Sequence, residues 1–199
     1  MDTIVFLPMS HVGKPSFYSS VKYNIDSLRK KKYKVIYEGV GMDTTLPRKD
    51  QVIYKKKLRK LLGFHLSQTY QDSTNQSIPK AFKNKKYVAQ NKENTGLLPE
   101  IDTNIDLTKN EMIDQYEEKY GIINLDNCDL STELDQPYEC NDLSNKSFYA
   151  TNIIREQYII EEISKIKSQN LIMVYGKSHW KFLYPKLYKL GYELIEGKI

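Results

Sequence analysis

Two short, almost unbroken apolar runs at opposite ends of the chain constrain its fold more than any other feature. The first, Thr3 to Met9, leads into Ser10-His11, and the second, Asn170-Leu171-Ile172-Met173-Val174-Tyr175, leads into Gly176-Lys177-Ser178-His179. Runs this short, bounded by Pro8 and Gly13 or by Gly176, read as strands buried on both faces. Strands without a polar face belong to a parallel sheet covered by helices on both sides.

The segments between and around them fit that expectation. Ser16 reads as a helix N-cap, followed at helical spacing by Tyr18, Val21, Ile25 and Leu28, and a basic run closes that helix. Tyr33 to Tyr37 then reads as a second strand that delivers Glu38 and Gly39 at its C-terminal end. The opening is thus β-α-β, with two parallel strands and a right-handed crossover. Residues 50–62 read as a helix stopped by Gly63, and residues 106–119 as another, ended by Gly121. Ile122 to Leu125 suggests a short strand leading into Asp126 and Asp129, and 130–147 has no period. The last third reads as a long helix over 147–167, the Asn170 to Tyr175 strand, a helix over 180–190 closed by Gly191, and a final strand over 192–195. Residues 64–105 are polar and Asn/Gln/Lys-rich, and a stretch of that kind forms a lid, an insertion or a cover of short elements. The fold class expected is therefore α/β, a mostly parallel sheet flanked by helices in a single domain over 1–199.

Composition narrows the function classes. The chain has 199 residues and a net charge of +5 from 30 basic and 25 acidic residues, a modest excess on a heavily charged chain. The basic residues cluster as Arg29 to Lys32, Lys55 to Lys57 with Arg59-Lys60, and Lys83 with Lys85-Lys86. Such runs can neutralise phosphates, but charge runs usually mark solvated helix ends and faces, so nucleic-acid binding is the lesser expectation. The two cysteines, Cys128 and Cys140, lie in polar, loop-like sequence without a Cys or His at zinc-ligand spacing, so neither a disulfide framework nor a zinc knuckle is expected. The N-terminal run is short and carries Asp2 where a signal peptide is basic, and no segment approaches the ~20 apolar residues of a membrane helix. These features predict a cytoplasmic protein with no membrane partner.

In open α/β sheets, ligands gather beyond the C-terminal ends of the strands. His11 follows the first strand, Glu38 closes the second and His179 follows the strand ending at Tyr175, in a turn that Gly176 permits. Two imidazoles and a carboxylate suit zinc, manganese or cobalt, with a coordination position left for a hydrolytic water. Taken singly, each residue is an ordinary loop or capping residue; two Ser-His steps ending strands of one sheet favour a shared site. Asp126 and Asp129 can join such a site but more often belong to Asx turns, and His65 reads as structural. A cysteine or serine triad is not supported, because Cys128 and Cys140 have no nearby base and no G-x-S-x-G elbow exists.

The order of strand, Ser10-His11-Val12-Gly13, helix, strand, Glu38, late helix with Arg155, strand and Gly176-Lys177-Ser178-His179 resembles the TraB/Tiki superfamily, which is related to erythromycin esterases and haem-binding ChaN proteins. The resemblance covers roughly residues 3–40 and 148–196. It implies that His11, Glu38 and His179 occupy metal-binding or general-base positions and that Arg155 supports a developing anion. In that reading Glu38 and Arg155 are catalytic, and His11, Glu38 and His179 hold a divalent metal that serves hydrolysis of a peptide or small-molecule ester. The first motif departs from the family pattern, since Pro8 stands where glycine is usual. The alternative is a protein of the same fold that binds a small ligand or haem without turnover.

Overall fold

A computed structural model describes residues 3–64, 86–167 and 169–197 of the chain. In chain order the elements are β1 (Ile4–Met9), β2 (Val12–Gly13), α1 (Pro15–Lys30), β3 (Lys34–Tyr37), α2 (Arg48–Leu62), β4 (Val88–Ala89), α3 (Lys92–Thr95), β5 (Thr103–Asn104), α4 (Lys109–Tyr120), α5 (Asn127–Ser131), α6 (Arg155–Lys165), β6 (Leu171–Gly176) and α7 (Trp180–Lys189). Single helical turns of 3₁₀ or π type lie at Ser144–Lys146, Tyr149–Ile154 and Lys177–His179. The chain divides into two compact units, one of Met1–Gly39, Lys85–Asp106 and Glu156–Ile199, the other of Val40–Asn84 and Leu107–Arg155.

The first unit is an α/β layered structure around a four-stranded sheet of order β1-β6-β3-β5, in which every neighbouring pair is parallel. The expected β-α-β opening is present, but β6 is inserted between its two strands. Because side chains alternate across a strand, β6 serves two cores at once. Leu171, Met173 and Tyr175 pack with Ile159, Ile160 and Ile163 of α6 and Leu183 and Leu187 of α7. Ile172 and Val174 pack with Tyr18, Val21 and Ile25 of α1 on the opposite face. Leu171 to Tyr175 are all buried, which explains the unbroken apolar run.

The helix α1 starts at Pro15, with Lys14 rather than Ser16 at the cap position, because the fixed φ of proline is already helical and its missing N–H is one the first turn leaves unpaired anyway. At its other end Arg29 pairs with Asp102 and donates to the Gly96 carbonyl at 2.9 Å. That basic run is therefore partly structural. The expected strand over 192–195 does not form. Gly191, at φ +90°, turns the chain, and the Tyr192 N–H bonds back to the Leu187 carbonyl at 3.1 Å, the six-to-one bond of a helix-ending motif. Of the polar 64–105 stretch, residues 65–85, including His65, lie outside the described residues. The remainder supplies β4, α3 and β5, with Leu97 and Ile105 in the core.

In the second unit α2 ends at Gly63 as expected, with φ +79°. Thr108 and Glu111 form a reciprocal capping box that starts α4, three residues after the position read from sequence. Ile122 to Leu125 is not a strand. Ile123 is buried while Ile122 is exposed, and the Ile123 N–H is taken by the Glu117 carboxylate at 2.8 Å, so the alternation is real but has no partner strand. The basic run of α2 is not a solvated face either, since Lys56, Arg59 and Lys60 are all buried. Arg59 donates to the carbonyls of Glu133, Asp129 and Thr132 at 2.7, 3.1 and 2.9 Å, and Lys60 pairs with Asp129. These bonds fasten the Asp129 to Glu133 segment to α2, and within the loop the Tyr138 hydroxyl donates to Asp129 at 2.6 Å. The expected absence of a disulfide is overturned: Cys128 and Cys140 are bonded, with Cα atoms 5.8 Å apart, a separation that suits the bond. Among the described residues no helix is long and apolar enough to cross a membrane.

Candidate functional site

The strand register fixes where the chemistry-bearing residues emerge. Met9 is paired with Gly176 and Tyr37 with Val174, so Ser10-His11, Glu38 and the Gly176 to His179 turn all leave the same C-terminal edge of the sheet. The helix that follows β1 packs on one face and the helix that follows β6 on the other. Two neighbouring strands whose connections diverge in this way define the switch point at which open parallel sheets form a ligand crevice.

At that edge His179 lies between two carboxylates. Its Nε2 is 3.4 Å from Glu38 Oε1 and its Nδ1 is 3.4 Å from Glu156 Oε1. His179 is 5% exposed and Glu156 1%, so this is a dry cluster in which each charge counts for more than it would in water. Glu38 is held by its second oxygen, which accepts the Gly176 N–H at 2.7 Å, and its own N–H donates to the Val174 carbonyl at 3.0 Å. A side chain at 176 would meet that same Glu38 oxygen at 3.1 Å and His179 Cδ2 at 3.5 Å. Glycine there thus leaves Glu38 room, while its backbone conformation is one any residue adopts. The Tyr175 ring stands edge-on to His179 with centroids 6.1 Å apart. Lys186 Nζ, on α7, approaches Glu156 Oε2 at 3.8 Å, and burial pulls its pKa below the ordinary lysine value against the opposing pull of Glu156.

Beside β1 the exit loop is braced by Tyr18, whose buried hydroxyl donates to the Ser10 carbonyl at 2.7 Å and is pushed by desolvation to a pKa of about 12. An open groove of about 420 Å³ lies there, lined by Ser10, Gly13, Lys14, Ser16, Phe17 and Ser20 among others. It offers hydroxyls, one cation and an aromatic face beyond the strand next to β6.

Of the expected site residues, Glu38 and His179 are brought together. His11 is exposed at the neighbouring strand end, where its carbonyl accepts the Gln90 N–H at 2.8 Å. Arg155 is the buried first residue of α6 and belongs to the second unit. Asp129 is buried in the second unit among Lys60, Tyr138 and the Asp126 backbone, and Asp126 caps α5. For a divalent metal the fit is incomplete. Two ligands on one tetrahedral zinc sit about 3.3 Å apart, given bonds of about 2.0–2.1 Å, which the His179 Nε2 to Glu38 Oε1 separation matches. Yet among the described residues no group of three or more His, Cys, Asp or Glu side chains is arranged to hold a metal.

Glu156 and Lys186 were not singled out by the sequence. The signal for Glu156 was present: it precedes Ile159, Ile160 and Ile163 by three, four and seven positions, which puts a carboxylate on the buried stripe of its helix. No protein-family model, no curated protein and no solved structure matches the chain.

Proposed function

We propose that the protein is a hydrolase of ester or amide bonds, with His179 and Glu38 activating water at the crevice beyond β1 and β6. The observation that carries this reading is the approach of His179 Nε2 to Glu38 Oε1 at 3.4 Å, at a topological switch point of the sheet. In the reaction Nε2 takes a proton from water as its oxygen attacks the carbonyl carbon, Glu38 balances the imidazolium that forms, and the proton passes to the departing alcohol or amine. The likeness of the Ser-His, Glu and Gly-x-x-His order to the TraB/Tiki hydrolases supports the same class of chemistry.

The test is hydrolysis of a panel of nitrophenyl esters and fluorogenic peptides by the wild type, His179→Gln and Glu38→Gln, with elemental analysis of each preparation. Either substitution is expected to lower kcat/KM by roughly 10²–10⁴-fold, the usual contribution of a positioned acid or base. Variants as active as the wild type, or a wild type inert on both panels, refute the reading. Near-stoichiometric zinc, manganese or cobalt that is lost in His179→Gln would instead establish the metal-assisted form of the same hydrolase.

A further inference from the structure

We infer that Lys109 and Lys55 form a binding site for a phosphate dianion in the second unit, one that does not depend on the hydrolase reading. Lys109, the first residue of α4, is only 6% exposed, and a lysine is almost never buried so deeply unless it is paired. The other buried cations of this unit that lie on α2 all have oxygen partners. Lys56 donates to the Leu130 carbonyl, Arg59 to three carbonyls, and Lys60 pairs with Asp126 and Asp129. Lys109 has neither an acceptor for its amine nor a carboxylate among the described residues. The charge that acts on it is the Lys55 ammonium, of the same sign; burial first, and Lys55 after it, pull the Lys109 pKa below the ordinary lysine value. Lys55, half-buried on α2, likewise has no ion pair among the described residues.

The acids nearby are engaged elsewhere. Glu111 takes the N–H and hydroxyl of Thr108 at 2.9 and 2.6 Å, and Asp43 takes those of Thr45 at 2.9 and 2.6 Å. Further along the seam between α2 and α4 the pairing is complementary, with the Tyr54 hydroxyl on Asp114 at 2.8 Å and Lys57 on Glu117 at 2.7 Å. Only at the start of α4 do two cations meet without an acid, and there the positive end of the helix adds to the same sign. The helix start is held in place, because the Lys109 N–H bonds to the Gly41 carbonyl at 2.9 Å and the Asp43 N–H to Asn110 at 3.2 Å. An unpaired charge at such depth costs stability until an anion meets it, and a buried cation of this kind marks a functional site. Lys109 Nζ is not wholly enclosed, so an ion from solvent can reach it. Two ammoniums match the charge of a phosphate dianion, which lysine holds as a point charge.

Calorimetric titration of the full-length protein with inorganic phosphate, in chloride buffer at fixed ionic strength, tests this. The wild type is expected to bind one phosphate saturably. Lys109→Met should weaken that binding roughly 10–100-fold, the worth of a hydrogen bond to a charged group, and Lys55→Met should weaken it as well. Lys31→Met, at an exposed lysine, should leave it unchanged. A wild type without saturable binding, or one that Lys109→Met matches, overturns the inference, as does an equal loss in Lys31→Met, which would reduce the effect to net charge. Methyl phosphate separates the two sources of the dianion: binding as tight as inorganic phosphate points to a phosphate monoester, and binding of inorganic phosphate alone to the free ion, either of which upholds the site. Thermal melts in phosphate-free buffer give a second readout. Lys109→Met removes the unpaired charge and keeps an unbranched apolar stem, so it should melt no lower than the wild type; a lower melt would mean that the folded chain itself satisfies the amine, and overturns the site.

Discussion

Replacing Asp129 offers the sharpest test of how the second unit is held. Its carboxylate is fully buried and receives three donors: the Lys60 ammonium, the Tyr138 hydroxyl at 2.6 Å and the Asp126 N–H at 2.9 Å. Asp129→Ala removes the acceptor of all three donors and leaves Lys60, itself 8% exposed, with Asp126 at 3.3 Å as its remaining carboxylate among the described residues. Breaking one side of a buried ion pair costs about 3–5 kcal/mol, a large part of the 5–15 kcal/mol that holds a typical domain together. Asp129→Asn keeps one acceptor and the shape but not the charge, so about 1–3 kcal/mol is expected. Urea unfolding followed by far-ultraviolet circular dichroism measures both, and an Ala variant that loses less than about 1 kcal/mol at an unchanged slope refutes the reasoning. The pH dependence supplies an independent check. Burial works to raise the Asp129 pKa, but the bonds from Lys60, Tyr138 and the Asp126 backbone outweigh it and hold the value below the ordinary one. A depressed carboxylate contributes stability that is full above the unfolded pKa of about 3.9 and is lost as pH falls through the lower folded value. Wild-type stability should therefore drop below about pH 4, and Asp129→Asn should lose that part of the decline.

Two further outcomes are expected. Gly176→Ala has an ordinary backbone to adopt, at φ −51° and ψ 134°, and gains about 0.4–1 kcal/mol through the unfolded state. Its Cβ, however, meets Glu38 Oε2 at 3.1 Å. Thermal melts should move little while kcat/KM falls about tenfold, scaled from the hundredfold loss that a 1 Å misplacement brings; unchanged kinetics would show that Glu38 is not held in a working position. The Cys128→Ser/Cys140→Ser double variant opens a covalent loop with a sequence separation of 12 and should lose about 3 kcal/mol by the chain-entropy account. It should keep its fold, because Arg59 and Lys60 still fasten the same loop; coincident melts of the oxidised wild type and the variant would count against that account.

The elements legible in the sequence were those with a long pattern. β1 and β6 announced themselves as unbroken apolar runs, α1 as Tyr18, Val21 and Ile25 at helical spacing, and α2 by its stop at Gly63. β5 was illegible because it is two exposed polar residues, Thr103 and Asn104, too short to show any alternation. The opposite error occurred at Ile122 to Leu125, where an alternating pattern exists without a strand to pair with. The disulfide was missed for a tertiary reason. Its two cysteines sit in aperiodic sequence, in a loop whose Asp129 is fastened by Arg59 and Lys60 of α2 about 70 residues earlier, contacts that no local pattern records.

The site was half legible for a reason that the strand order makes plain. A β-α-β opening by itself suggests that β1 and β3 lie side by side and that His11 and Glu38 therefore emerge as neighbours. The late strand β6 is instead inserted between them, which sets the two exits two strand spacings apart, about 9.6 Å from spacings of about 4.8 Å. His179, leaving the central strand, has Glu38 on one side and His11 on the other. A metal ligand set needs its members within about 4 Å of one another; His179 and Glu38 meet that at 3.4 Å, and among the described residues no third His, Cys, Asp or Glu completes a group arranged to hold a metal. The position opposite Glu38 is filled by Glu156, which arrives from α6 rather than from a strand end and so has no strand-end motif to announce it. The insertion that separates the two expected partners thus sets His179 beside Glu38, whereas its second carboxylate neighbour, Glu156, comes from a helix that strand order alone does not place.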